Sequence, residues 1–188
     1  TLWPRLSHHR MSSVSAAERA VSSAAVAEPS AADGTSADGT LIVVDMQWFF
    51  VKGCENVDLL ANVIAEIKTA MAKGWAIILL EVTPWRLDHT MEEITKVVKG
   101  YQRCLQKTKA KPDGSSEVID VCLEEGFSTT NFKVVGVWID ACVEQTAVSL
   151  VERLSNCVVN VVKKACSTNW DEKGAWQAFR QRRRLLVA

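Results

Sequence analysis

From Leu41 onward, apolar runs alternate with amphipathic stretches along the chain. The run LIVVD (41–45) ends on an acid, and WAIILLEV (75–82) is a second apolar run. Between them Leu60, Val63, Ile64, Ile67 and Met71 recur at helical spacing and stop at Gly74. That spacing predicts a helix with one buried face. TMEEITKVVKG (90–100) reads as a short helix and YQRCLQKTK (101–109) as a third strand. SSEVIDVCLEEG (115–126) reads as a helix with Ser115 as its cap and Gly126 at its end. FKVVGVW (132–138) is a fourth strand. It is followed by a helix over 142–154 with Val143, Ala147, Leu150, Val151 and Leu154 on one face. CVVNVV (157–162) is a fifth strand, and DEKGAWQAFRQRRR (171–184) is a last helix.

Strands alternating with helices predict right-handed crossovers and a mostly parallel sheet covered on both faces, a three-layer α/β/α sandwich of Rossmann-like type. In such folds, sites lie outside the carboxyl ends of the strands. Asp45, the lysines at 107–111, Cys142 and Cys166 are therefore expected along one edge.

Residues 1–40 break the pattern. They are rich in Ala and Ser, hold no lysine and show no period. They read as a disordered tail, a transit-type peptide or an added segment. The domain is expected over 41–180, with a basic tail over 181–188. The chain has 188 residues, 48% hydrophobic and 23% charged, with zero net charge. That is an ordinary globular balance, with no basic excess toward nucleic acid and no apolar run of about 18 residues for a membrane span. Six cysteines without a C-x-x-C pair point to a reducing compartment rather than to disulfides or zinc. The cytoplasm is expected, or an organelle if 1–40 is a transit peptide. A homo-oligomer, dimer or tetramer, acting on a small molecule is expected, with no cofactor.

The junction KVVGVWIDACVEQTA (133–147) places Cys142 where a strand becomes a helix. The free N–H groups and positive end of the helix favour a thiolate there. Asp45 can take the thiol proton, a nearby lysine can hold the carboxylate, and the N–H groups of Ala141 and Cys142 can receive an oxyanion. This set suits acyl transfer from an amide through a thioester.

LIVVDMQWFFV and VVGVWIDACVEQTA resemble the two signature regions of the isochorismatase-like cysteine hydrolases, a superfamily that includes nicotinamidases and N-carbamoyl amidohydrolases. The resemblance runs from about Leu41 to Phe179. It implies Asp45 as base, Cys142 as nucleophile and a third-strand lysine. It also implies a non-proline cis peptide at Val137–Trp138. Lys107, Lys109 and Lys111 alternate and share a strand face. Lys109, four residues before Asp-Gly-Ser, matches the family pattern, with Lys107 the alternative. Many members carry Thr where Ile139 stands here. Nicotinamidases hold a metal with an acid and histidines soon after the first strand. DMQWFFVKGCENVD has no histidine, which argues against metal dependence.

Other readings compete. Asp45 can simply cap a helix, and a junction cysteine is often structural. Cys166 is the rival thiol. Trp48, Phe49, Phe50 and Trp138 form either a substrate wall or core packing. His89 reads as a solvated residue and RQRRR (180–184) as a solvated tail. An idle binding member of the family and a phospho-acceptor receiver-like domain are the alternatives to a hydrolase. The receiver requires further acids beside the first strand, which TLIVVDM lacks.

Overall fold

The computed structural model describes residues 38–82 and 88–188. The readings made for the N-terminal segment lie outside the described residues, apart from Asp38 to Thr40. The element order is β1 (Thr40–Val44), α1 (Trp48–Val51), α2 (Leu59–Ala72), β2 (Ala76–Val82), α3 (Glu92–Val98), β3 (Cys104–Lys109), α4 (Ser115–Glu125) and β4 (Asn131–Val137). A π-helical turn (Ile139–Val143), α5 (Glu144–Arg153), β5 (Val158–Ser167), α6 (Glu172–Ala178) and β6 (Leu185–Val187) follow. Among the described residues no helix is long and apolar enough to cross a membrane.

All six strands are parallel, in the order β3-β2-β1-β4-β5-β6. β1 is buried along its whole length, as its unbroken apolar run requires of a strand covered on both faces. Side chains alternate across the sheet into two cores. Ile42, Val44, Ile78, Leu80 and Val134 pack on the α4/α5 side, and Leu41, Val43, Ile77, Leu79 and Val135 on the α2/α3 side. The strand order reverses between β1 and β4, which opens a crevice at their carboxyl ends.

Gly136 makes that junction. Its φ is +119°, and a Cβ there would lie 2.1 Å from the Val44 carbonyl oxygen. No L side chain fits that approach without moving β1 from β4. Gly136→Ala is expected to lower stability by about 3 kcal/mol or more, read by urea unfolding at neutral pH. A change under about 1 kcal/mol would show that the two strands can separate locally at little cost.

Three details differ from the sequence reading. Ser115 is the first residue of α4 and not its cap; Gly114 holds the cap position and Asp113 Oδ1 accepts the Ser115 N–H at 2.8 Å. β5 runs on to Ser167 and carries Cys166 inside it. The basic end is no solvated tail, because Leu185–Val187 form the edge strand β6 and the arginines before it grip α5. Arg180 Nε donates to Glu144 at 2.7 Å and Arg182 Nε to Glu152 at 3.0 Å. Arg184 donates to the carbonyls of Val151 and Leu154, the free C-terminal acceptors of α5.

Candidate active site

Asp45 follows β1 directly. Its φ of +49° turns the chain off the sheet, and its N–H donates to the Leu80 carbonyl at 2.9 Å. The side chain is buried. Lys109, the last residue of β3, reaches across β2 and donates from Nζ to Asp45 Oδ2 at 2.8 Å. Nζ also donates to the Lys111 carbonyl at 3.2 Å. Register decides which lysine reaches Asp45: Lys109 pairs with Val82 at the very end of β2, level with the turn after β1. Lys107 lies one pleat deeper beside Leu80, and the Lys111 side chain is exposed. Gly114 leaves room for the Lys109 stem, since a Cβ there would lie 2.9 Å from Lys109 Cδ. The Gly114 N–H donates to Thr146 Oγ1 at 3.0 Å, which ties the β3–α4 loop to α5.

Cys142 lies in the π-helical turn between β4 and α5, and it too is buried. The peptide between Val137 and Trp138 is cis, at the position that the resemblance implies. Ile139 packs into the core, where an apolar side chain rather than a hydroxyl belongs. The helix end does not yield a resting thiolate. Burial pushes the Cys142 thiol up to about 12, and the Asp45 charge pushes the same way against Lys109. Desolvation disfavours the charged thiolate at this depth. Burial also raises Asp45, with Lys109 and the Cys142 thiol opposing. Asp45 Oδ1 is buried without a hydrogen-bond partner, and the carboxyl and the Cys142 thiol lie close enough for each to shift the other.

The Ala141 N–H donates to the Trp138 carbonyl at 3.1 Å. It therefore reaches an incoming oxyanion only by exchanging that bond, which departs from the expectation of two free donors. Cys166 does not join the site. Its thiol is fully buried in β5, near the Val134 carbonyl, and burial raises its pKa.

A pocket of about 470 Å³ opens over Cys142, lined by Phe49, Phe50, Val82, Pro112, Trp138 and Ala141 among others. Phe50 and Trp138 meet edge to face at 5.2 Å, and Trp138 Nε1 donates to the Phe50 carbonyl at 3.0 Å. Trp48 departs from the expected wall. It is 57% exposed and turned toward Lys52, whose Nζ lies 4.9 Å from its ring centroid. α1 is a single turn, so consecutive residues point in different directions, and Phe49 and Phe50 face the pocket instead. Trp170 was not foreseen. It packs 5.1 Å from Trp138 and donates to Asp140 Oδ2 at 2.9 Å. An apolar run followed by scattered polar residues gives no local sign of that contact. Among the described residues, no three of His, Cys, Asp and Glu gather as metal ligands. The one-turn helix after Asp45 presents aromatic rings where a metal centre would require donors, so the residues here do not fit one.

An isochorismatase domain model matches residues 40–186. No curated protein sequence matches the chain. Among solved structures, one described as MAR1 ribonuclease from Caenorhabditis elegans is similar at 22% identity and a TM-score of 0.70, over 84% of this chain and 80% of that one. A nicotinamidase from Staphylococcus aureus is similar at 18% identity and 0.63, over 74% of this chain and 90% of that one. An N-carbamoylsarcosine amidase from Thermoplasma acidophilum is similar at 17% identity and 0.65, over 80% and 95%. These likenesses support the fold, and the domain match covers nearly all of the described chain. The chain belongs to the isochorismatase family of α/β proteins.

Proposed function

We propose that this protein is a cysteine-dependent hydrolase that cleaves a C–N bond of a small amide or ureido substrate through a thioester, with Asp45, Lys109 and Cys142 as its triad. The observation that carries this reading is the buried Lys109–Asp45 ion pair beside a thiol at the floor of an aromatic pocket. A thiol pushed up to about 12 is protonated at rest, so a base must act as it attacks. Asp45 accepts the thiol proton through its unpartnered Oδ1 while sulfur bonds to the carbonyl carbon. The Cys142 N–H receives the oxyanion, joined by Ala141 once its bond to Trp138 exchanges. Asp45 then returns the proton to the departing nitrogen, and the C–N bond breaks to leave a thioester and an amine or ammonia. Water adds to the thioester with Asp45 again as base, and the acid leaves with the thiol restored. Burial raises Asp45, and the charge of Lys109 opposes that rise and so favours the ionised carboxylate.

The test is intact-mass analysis during turnover of a panel of small primary amides and ureido acids, with and without a chelator. An acyl adduct on Cys142, with product release indifferent to the chelator, is expected. Release without an adduct, or loss of activity in chelator and its return with zinc or iron, would overturn the mechanism. RNA belongs in the panel because of the ribonuclease neighbour. The lining of the pocket is aromatic and apolar apart from Lys111 and Cys142, which favours the small amide, and RNA cleavage that depends on Cys142 would reverse that preference.

A further inference from the structure

Glu81 is a buried charge that the proposed reaction does not use. It is the penultimate residue of β2, and its side chain is 2% exposed. Val82 lines the pocket, so Glu81, one residue earlier on a strand, points to the other face of the sheet. Its Oε1 accepts the Thr90 N–H at 2.5 Å, and His89 Nδ1 lies 3.2 Å from Oε2. Burial alone would raise its pKa. The hydrogen bonds from Thr90 and His89 outweigh that and hold it below the usual carboxylate range, so it is ionised at neutral pH.

The segment that Glu81 grips leads to the pocket wall. Gln47 Nε2 donates to the Asp88 carbonyl at 2.5 Å, and the Met91 N–H donates to the Met46 carbonyl at 2.8 Å. Asp88 Oδ2 accepts the Phe49 N–H at 2.7 Å. Phe49 and Phe50 are consecutive in the four-residue helix α1, and both line the pocket over Cys142. α1 is too short to hold itself in place, so its position depends on such outside bonds. We infer that Asp88 and Glu81 are positioning residues for substrate selection: the 88–90 segment, anchored on Glu81, fixes α1 through Asp88 and so sets the gap between the aromatic wall and the Cys142 thiol. The inference rests on the reading of this pocket as the substrate site. Neither residue touches the reacting atoms.

The test uses Asp88→Ala, Asp88→Asn and Glu81→Ala in the full chain, with two readouts that require no turnover. The first is native hydrogen exchange. Asp88→Ala is expected to speed exchange of the Phe49 amide about tenfold and leave Thr90 protected, whereas Glu81→Ala, which removes the acceptor of the Thr90 N–H, speeds both. Asp88→Asn keeps an acceptor oxygen and restores slow exchange at Phe49. The second is the selectivity of Cys142 alkylation, read by peptide mapping as the rate ratio of 2-iodo-N-phenylacetamide to iodoacetamide. A wall held in place gives wild type a fixed preference, and that ratio is expected to change by about fivefold in Asp88→Ala and Glu81→Ala and return in Asp88→Asn. An unchanged ratio, or Phe49 exchange that none of the variants alters, overturns the inference. Amide turnover measured in parallel on the same samples tests the hydrolase reading separately, because alkylation of the thiol proceeds whether or not the protein is an amidase.

Discussion

Cys142→Ala is expected to abolish amide hydrolysis, with a loss on the order of 10⁵-fold or more, while the fold stays intact. The change removes one sulfur at the floor of an open pocket, so its stability cost should be about 1 kcal/mol or less near neutral pH. The two effects are separable by pH. The folded protein holds the thiol proton up to about 12, against an ordinary value near 9.0. A group whose pKa is raised on folding contributes its stability below the unfolded value and loses it as pH rises. Wild type should therefore lose stability between about pH 9 and 12, and Cys142→Ala should lose less over that window. Urea unfolding at neutral and alkaline pH beside steady-state rates checks both halves. A variant that still released product above background would remove the nucleophile from the mechanism. A variant that unfolded would show the thiol to be structural.

How much of this was legible beforehand depends on the range over which each signal acts. The strands of the sheet centre were readable because a strand buried on both faces leaves an unbroken apolar run, as in residues 41–44 and 76–80. The placement of Asp45 and Cys142 at one edge followed from that, since parallel strands bring their carboxyl ends together. The choice among Lys107, Lys109 and Lys111 did not follow, because all three share a face and only the pairing of β3 with β2 fixes depth. β6 was missed because Arg180, Arg182 and Arg184 look like a solvated end until Glu144, Glu152 and the α5 carbonyls, about 30 residues away in sequence, come into reach. Trp48 was misplaced because a one-turn helix is too short to show a period. The burial that raises the Cys142 thiol was not legible, because a helix end is visible in a sequence and the depth of burial is not.

Lys109→Met is expected to cost turnover by orders of magnitude, and the cause should be visible in its pH dependence. Met keeps the apolar stem and removes the charge. Burial already raises Asp45, and the charge of Lys109 is the largest influence opposing it. Without that charge the carboxyl goes higher, and a larger share of it carries a proton and cannot accept one from the thiol. The proposed mechanism requires the ionised form, so activity is expected to fall as pH drops through the Asp45 pKa, and in Lys109→Met that loss should move to higher pH. Part of the rate should return on the alkaline side. Lys107→Met and Lys111→Met should stay near wild type, since Lys109 uses the carbonyl of Lys111 and not its side chain. Stability gives an independent measure of the same pair. Asp45→Asn strands a buried ammonium and is expected to cost about 3–5 kcal/mol, whereas in Lys109→Met the carboxyl escapes by taking a proton. The double variant Asp45→Asn/Lys109→Met leaves no buried charge and should be more stable than the sum of the two single losses by well over about 0.5 kcal/mol. Urea unfolding of the four proteins at pH 7 closes the cycle. Additive losses, or a dominant rate loss at Lys107, would show that the ion pair between Lys109 and Asp45 does not govern the base.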